Sequence, residues 1–356
     1  MRDEAAPTPH RKPTIRTVAA AAGVSTATVS RVMSGVDTVN PDLARRVLQV
    51  AKDLSYRPSE AARGLARGAL RNIGVLMPDL GNSYFHDIVK SMHATATQSG
   101  FRMLIADHTT EPGNEFETAV DLMGHVDGLA LIAPRIDRPH LRELSHHGTP
   151  VVLVNRVETG IDLPMVGVDS FTAMLEVGAH LAALGHRRIV YLSGSELAWQ
   201  DRERWRALQA SSRMLGTDVS RVESDGTIET SYRAVDEAIR HEPTAIACFN
   251  DLTAVGVLSR LRDLGLSVPG DISVSGFDDI EIGRHLTPKL TTVSTPRDEL
   301  GRVAWRLLAD SIASQPTDDT ENLLPARLIV RASTGTASVN PPPVPRSHVC
   351  DGQGQA

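Results

Sequence analysis

Polar residues stand directly after several short apolar runs of this chain, and their types suit the recognition of hydroxyl groups. Asp79 and Asn82 follow IGVLM (73–77), Asp107 follows MLIA (103–106), and Arg135 follows LALIA (129–133). Asn155 and Arg156 follow VVLV (151–154), Asn250 and Asp251 follow AIACF (245–249), and Asp278 follows ISVSGF (272–277). Carboxylates and amides accept from and donate to hydroxyls, while arginine supplies a rigid fork of donors. Open α/β sheets bind ligands outside the carboxyl ends of their strands, so this set suits a polyhydroxyl ligand such as a sugar. Each residue has a second reading as a cap of the next helix, Asp251 before LTAVGVLSRL above all.

A different chemistry is suggested near the start of the chain. Ser25, Thr26, Ala27 and Thr28 are followed one helical turn later by Arg31. On a helix laid in a major groove, hydroxyls reach phosphates, methyls meet the thymine methyl, and an arginine holds a guanine edge. The alternative is a small helical bundle that docks another protein. Catalytic signatures are missing: there is no G-x-S-x-G, H-E-x-x-H, P-loop, or G-x-G-x-x-G after a strand. The thirteen histidines are scattered, and His146-His147 are adjacent rather than one turn apart. His186 in LGHRR reads as a packing or capping residue. No enzyme, metal site or bound cofactor is expected.

These residues need elements to position them. Thr14 is placed to cap IRTVAAAA, which closes at Gly23; Ser25 caps TATVSRVMS, with Gly35 beyond its end. Asn40-Pro41 opens a third helix whose apolar residues Leu43, Val47, Val50, Ala51 and Leu54 recur at helical spacing. Three short helices predict a helix-turn-helix head over 14–58. From Arg71 onward strands alternate with helices, adding IVYL (189–192), LTTV (290–293) and LIV (328–330) to the runs above. Nine strands built by crossovers predict an α/β body over 71–336 with parallel sheets in two lobes. The expected lobes are roughly 71–168 plus 296–336, and 169–295. Residues 59–70 read as a hinge segment, and 1–13 and 337–356 as disordered tails.

Charge supports that division. Residues 1–71 hold twelve Lys and Arg against six Asp and Glu, so a net −6 divides into a head of +6 and a remainder of −12. A basic head on an acidic body points to a polyanion partner for the head. No apolar run approaches the length of a membrane span, and the N-terminus has no secretory pattern. Cys248 and Cys350 are too few for a disulfide framework, so a cytoplasmic protein is expected.

The run TIRTVAAAAGVSTATVSRVMSG (14–35), with VNPDLARRVLQVAKDLSYRPSEAARGLARG (39–68), closely resembles the lactose/galactose-repressor family of bacterial transcription regulators. The similarity continues in order through NIGVLMPDLGNSYF, HLAALGHRRI, FNDLTAVG, VPGDISVSGFDD and LTTVSTP. The resemblance implies the three-helix head and a periplasmic-binding-protein-like body. It places Thr26, Ala27 and Arg31 on base edges, with Thr14, Ile15, Ser30 and Tyr56 also at DNA-contact positions. Leu65, flanked by Ala62 and Arg63, matches a leucine wedged into the minor groove by a hinge that folds on the operator. In the body it puts Arg204, Asn250 and Asp278 at effector positions and an aromatic at Tyr84 or Phe85. Asp169 is a further candidate, and Trp199 reads either as a sugar-stacking ring or as lobe core. Ala207 departs from the glycine usual in the family.

The function so implied is a sequence-specific DNA-binding regulator, a repressor, whose operator affinity a small molecule controls. It would act as a homodimer on a pseudo-palindromic operator, with the effector between the lobes and no membrane partner. No leucine heptad follows residue 335, which favours a dimer over a tetramer. A sugar is the expected effector; a purine or phosphorylated metabolite is the alternative, and Arg135, Arg156 and Arg202 would serve a phosphate. A non-regulatory solute-binding protein shares the two-lobed body but lacks a basic head.

Overall fold

Thr14 accepts from the Thr17 N–H at 3.3 Å, and the Thr17 hydroxyl accepts from the Thr14 N–H at 2.7 Å. This reciprocal cap starts α1 (Ile15–Ala22), which Gly23 ends at φ 66°, a left-handed conformation that glycine adopts without strain. Ser25 accepts from the Thr28 N–H at 3.1 Å and opens α2 (Thr26–Met33). Asn40 accepts from Asp42 N–H at 2.9 Å ahead of α3 (Pro41–Asp53). Val18, Val29 and Val47, one from each helix, are fully buried together and form the centre of a small core. The computed structural model describes residues 13–33, 39–56, 69–107, 113–315 and 321–338. The chain divides into two units, 1–71 and 72–356.

The second unit is an α/β body. Its first sheet has six parallel strands in the order β2-β1-β3-β4-β5-β11. These are β1 (Asn72–Met77), β2 (Arg102–Asp107), β3 (Gly128–Ile132), β4 (Val151–Val154), β5 (Met165–Val168) and β11 (Glu321–Leu324). Helices α4 (Ser83–Gln98), α5 (Glu115–Met123), α6 (Arg138–Ser145) and α11 (Arg297–Ile312) cover it. The second sheet is parallel, in the order β7-β6-β8-β9, from β6 (Arg188–Leu192), β7 (Asp218–Val222), β8 (Ala245–Cys248) and β9 (Ser273–Ser275). Around it lie α7 (Ser170–Ala183), α8 (Trp199–Leu215), α9 (Ile228–Ala238) and α10 (Asp251–Asp263). An antiparallel pair, β10 (Thr292–Ser294) with β12 (Arg327–Ile329), completes this lobe. The central strands are buried on both faces, which is why they read as continuous apolar runs.

Three strands lie outside the nine apolar runs. β7 is a partly exposed edge strand with the mixed sequence DVSRV, while β5 and β11 are only four residues each. The division of the lobes also differs from expectation. α11 and β11 pack on the first sheet, but β12 pairs with β10, and Ser333 O accepts from Val274 N–H at 2.8 Å. The segment 327–337 therefore joins the second lobe. Ala337 N–H donates to Leu184 O at 2.9 Å, so this residue is part of the body and not of a tail. The chain passes between lobes three times, after β5, β10 and β11. No described helix is long and apolar enough to cross a membrane.

Candidate functional site

In the head, the turn between α1 and α2 uses the Ser25 and Thr28 side chains for capping, their oxygens 2.9 Å apart. Thr26, Ala27 and Arg31 stand exposed on α2, and Ser30 is half-buried. Ile15 and Tyr56 rest against the apolar core, and Thr14 is the cap of α1. Ala62, Arg63 and Leu65, with the hinge and the terminal tails, lie outside the described residues.

In the body, a cavity of about 520 Å³ opens between the lobes at the carboxyl ends of both sheets, a volume in the range of small-molecule sites. Asn82, Tyr84, Phe85, Arg135 and Asn155 line it from the first lobe, and Arg204, Asn250 and Asp278 from the second. Three expected residues do not. Asp169 accepts from the Thr172 N–H at 2.9 Å and caps α7. Asp107 accepts from the Leu80 N–H at 3.3 Å. Trp199 opens α8 half-buried, while its neighbours Ala198 and Gln200 line the cavity, because successive helical residues point about 100° apart. Asp225–Glu229 and Phe249 also form walls that the sequence did not single out. Asp225–Glu229 follow an edge strand that has no apolar run to mark it.

Arg204 organises the second-lobe wall. Its guanidinium carbon lies 3.5 Å from the Phe277 ring centroid and 4.8 Å from that of Phe249. One nitrogen donates to the Phe249 carbonyl and another lies 3.5 Å from the Asp278 carboxylate. Arg204 Nε and Asn155 Oδ1 are both buried with no hydrogen-bond partner among the described residues. A buried donor and a buried acceptor left in this state cost free energy until something pairs with them. Asn155 itself sits at φ 58°, a conformation asparagine tolerates, and its carbonyl accepts from Gln200 of the other lobe. Asn250 spends its side chain on structure, accepting from Thr253 N–H at 2.7 Å and donating to Gly226 O at 3.2 Å.

Charge in the cleft is weighted to acids. Asp79, Asp225, Glu229 and Asp278 face two arginines, Arg135 and Arg204. Arg135 is itself engaged by the charges of Glu115, Asp225 and Asp79. Arg156 is buried, donating to Glu158 at 2.7 Å and to the carbonyls of Pro134 and Ile136. Arg202 lies 3.5 Å from the same Glu158. Two of the three arginines that would serve a phosphate are thus held by one carboxylate away from the cavity. Asp251, fully buried, accepts from Ile280 N–H at 2.8 Å and Thr292 Oγ1 at 2.6 Å and is structural. No described group of His, Cys, Asp and Glu is arranged to hold a metal.

Burial pushes the Asp278 carboxyl up from 3.8 to about 6, with Arg204 and Arg297 opposing the shift. Between those values the folded chain holds a proton that the unfolded chain has released. Its contribution to stability therefore falls as pH rises through that window and is level above it. Asp278→Asn removes this slope. Urea unfolding at pH 4 and pH 7 is expected to show the wild-type-to-variant difference moving by about 2–3 kcal/mol in the variant's favour. An unchanged difference would mean that the carboxyl titrates normally.

The geometry of a helix-turn-helix head and a two-lobed body has clear relatives. Residues 14–59 match the family described as bacterial regulatory proteins, lacI family, and 179–334 match the periplasmic binding protein-like domain. The transcriptional repressor CytR of Escherichia coli is 32% identical over 328 residues, covering 90% of this chain and 96% of CytR. This chain belongs to the LacI family. Catabolite control protein A of Priestia megaterium is also 32% identical, over 90% of this chain and 99% of its own. Among solved structures, the lac repressor dimer bound to operator and the anti-inducer ONPF matches with a TM-score of 0.78 at 25% identity, over 91% and 100% of the two chains. A complex of the regulator CelR with cellobiose matches at 0.68 and 28% identity, over 90% and 99%. As a LacI-family member the chain is a DNA-binding transcription regulator and not an enzyme. Ala207, where the family resemblance has glycine, is buried in the second-lobe core.

Proposed function

We propose that this regulator is a cytoplasmic, homodimeric repressor that binds a pseudo-palindromic operator and responds to a sugar held between its lobes. The observation that carries the sugar reading is the cleft itself: an unpartnered Asn155 Oδ1 and Arg204 Nε beside Asp278, with acids outnumbering arginines. Hydroxyls satisfy both donors and acceptors, whereas a phosphate meets the repulsion of Asp79, Asp225 and Glu229. The bound sugar favours one angle between the lobes, and operator affinity follows that angle; two sites then bias one two-state element. Asn82, Tyr84, Phe85, Arg135, Asn155, Arg204, Asn250 and Asp278 form the effector site in this reading. The α2 residues Thr26, Ala27 and Arg31 read bases, and Leu65 kinks the operator centre.

The test pairs thermal unfolding with DNA release. A sugar at a hundred times its Kd should add about 2.7 kcal/mol of stability and lower the affinity for duplexes selected from a random library. A purine or sugar phosphate that stabilises where no neutral sugar does would overturn the ligand class. On the DNA side, Arg31→Ala is expected to cost about 1–3 kcal/mol at one operator position and to relax specificity there. Uniform weakening across all duplexes would make Arg31 a phosphate contact instead.

A further inference from the structure

A second cavity, of about 340 Å³, adjoins the first. Arg135 lines both. The two share their walls on each lobe: Ala133 faces the first cavity and Ile136 the second, while Ala198 faces the first and its chain neighbour Leu197 the second. The second cavity has an aromatic floor, where Phe116 and His140 lie with ring centroids 4.4 Å apart and planes 35° apart. The carboxylates of Glu117 and Asp137 stand around it, while the buried Glu115 carboxyl accepts from the Arg135 N–H at 2.8 Å.

We propose that the two cavities form one extended site for a two-ring saccharide. One ring sits among Asn155, Arg204 and Asp278, and the other lies on the Phe116–His140 pair with the linkage passing Arg135. This rests on the sugar reading of the cleft and specifies its length. The chemistry of the second cavity fits a pyranose: the C–H face of the ring covers an apolar aromatic surface, and its hydroxyls donate to the surrounding carboxylates. The same carboxylates repel an anionic group. With about 520 Å³ in the first cavity, a single hexose leaves the second empty.

Titration calorimetry on the full chain with matched pairs tests this: glucose with cellobiose, glucose with maltose, galactose with lactose, and ribose with adenosine. In at least one saccharide pair the disaccharide is expected to bind tenfold or more tighter than its own monosaccharide. Leu197 is 59% exposed at the mouth of the second cavity, so Leu197→Arg fills that mouth without disturbing the core. The variant should bring the disaccharide down to the monosaccharide's affinity and leave the monosaccharide within twofold. Equal affinities within every pair, or a variant that binds the disaccharide unchanged, would overturn the extended site while leaving a one-ring sugar effector standing. A preference confined to adenosine over ribose overturns the saccharide as occupant. Silence from all seven ligands overturns the sugar reading together with this one.

Discussion

Arg204→Met is expected to abolish the effector response, with ligand affinity falling at least a hundredfold, or about 2.7 kcal/mol, and to lower the unfolding free energy by about 3–5 kcal/mol. Arg204 is only 3% exposed and lies against two aromatic rings, the Phe249 carbonyl and the Asp278 carboxylate. Methionine keeps the apolar stem between Phe277 and Phe249 but leaves Asp278 as a buried carboxylate that has lost its arginine. Protonation offers an escape, because burial already holds that carboxyl at about 6. Without Arg204 its pKa rises further, so the variant's deficit should be small near pH 5 and grow toward pH 8. A deficit independent of pH would mean lost packing rather than a broken ion pair. The double variant Arg204→Met/Asp278→Asn separates stability from function. It should recover most of the folding free energy, since no unpaired charge remains, yet still fail to bind the effector. Recovery of binding in that double variant would remove Arg204 from the effector site.

Much of this architecture was legible because buried parallel strands announce themselves. The runs 73–77, 129–133 and 245–249 are apolar throughout, since both faces of each strand are covered. Reading just past these runs and past 151–154 and 272–277 picked out Asn82, Arg135, Asn155, Asn250 and Asp278, all of which line one cavity. The same rule misplaced Asp107, whose carboxylate holds the Leu80 N–H, because a strand end states position and not side-chain direction. The family resemblance was needed for Arg204, which sits inside a helix where no local pattern marks it. It also suggested Trp199 and Asp169, which lie off the cavity. The third crossing between lobes was hidden for a different reason. β11 and β12 are separated by two residues, and the lobe each joins is decided by register with strands far away in sequence.

Two glycines within helices show what composition conceals. Read locally, Gly256 in α10 and Gly301 in α11 only weaken their helices, by about 1 kcal/mol each relative to alanine. In the structure a Cβ on Gly256 would stand 2.3 Å from Ile228 O and 2.9 Å from Tyr232 N. One on Gly301 would stand 2.3 Å from Ile88 O and 3.0 Å from Met92 N. Each lobe therefore uses the same device, a glycine that lets one helix lie directly on the backbone of another: α10 on α9, and α11 on α4. The starts of three of these helices also line the cleft, through Ile228 and Glu229, through Leu252, and through Tyr84 and Phe85. Arg297, at the start of α11, donates to Asp87 at 2.9 Å and to the Asp278 carbonyl. Helix spacing and cleft shape are thus coupled. Gly256→Ala and Gly301→Ala are each expected to cost about 1–3 kcal/mol, because backbone cannot move aside as a side chain does. Each should also weaken effector binding tenfold or more, since such walls must hold their places to about 0.5 Å. Gly216→Ala is the control. That glycine ends α8 at φ 64° with nothing within 4 Å of a Cβ, so alanine there should cost about 1–2 kcal/mol of backbone strain and leave effector affinity unchanged. Denaturant unfolding and ligand titration of the three variants decide the matter: if Gly256→Ala and Gly301→Ala bind effector like Gly216→Ala, the helix contacts set stability alone and the cleft is held by its loops.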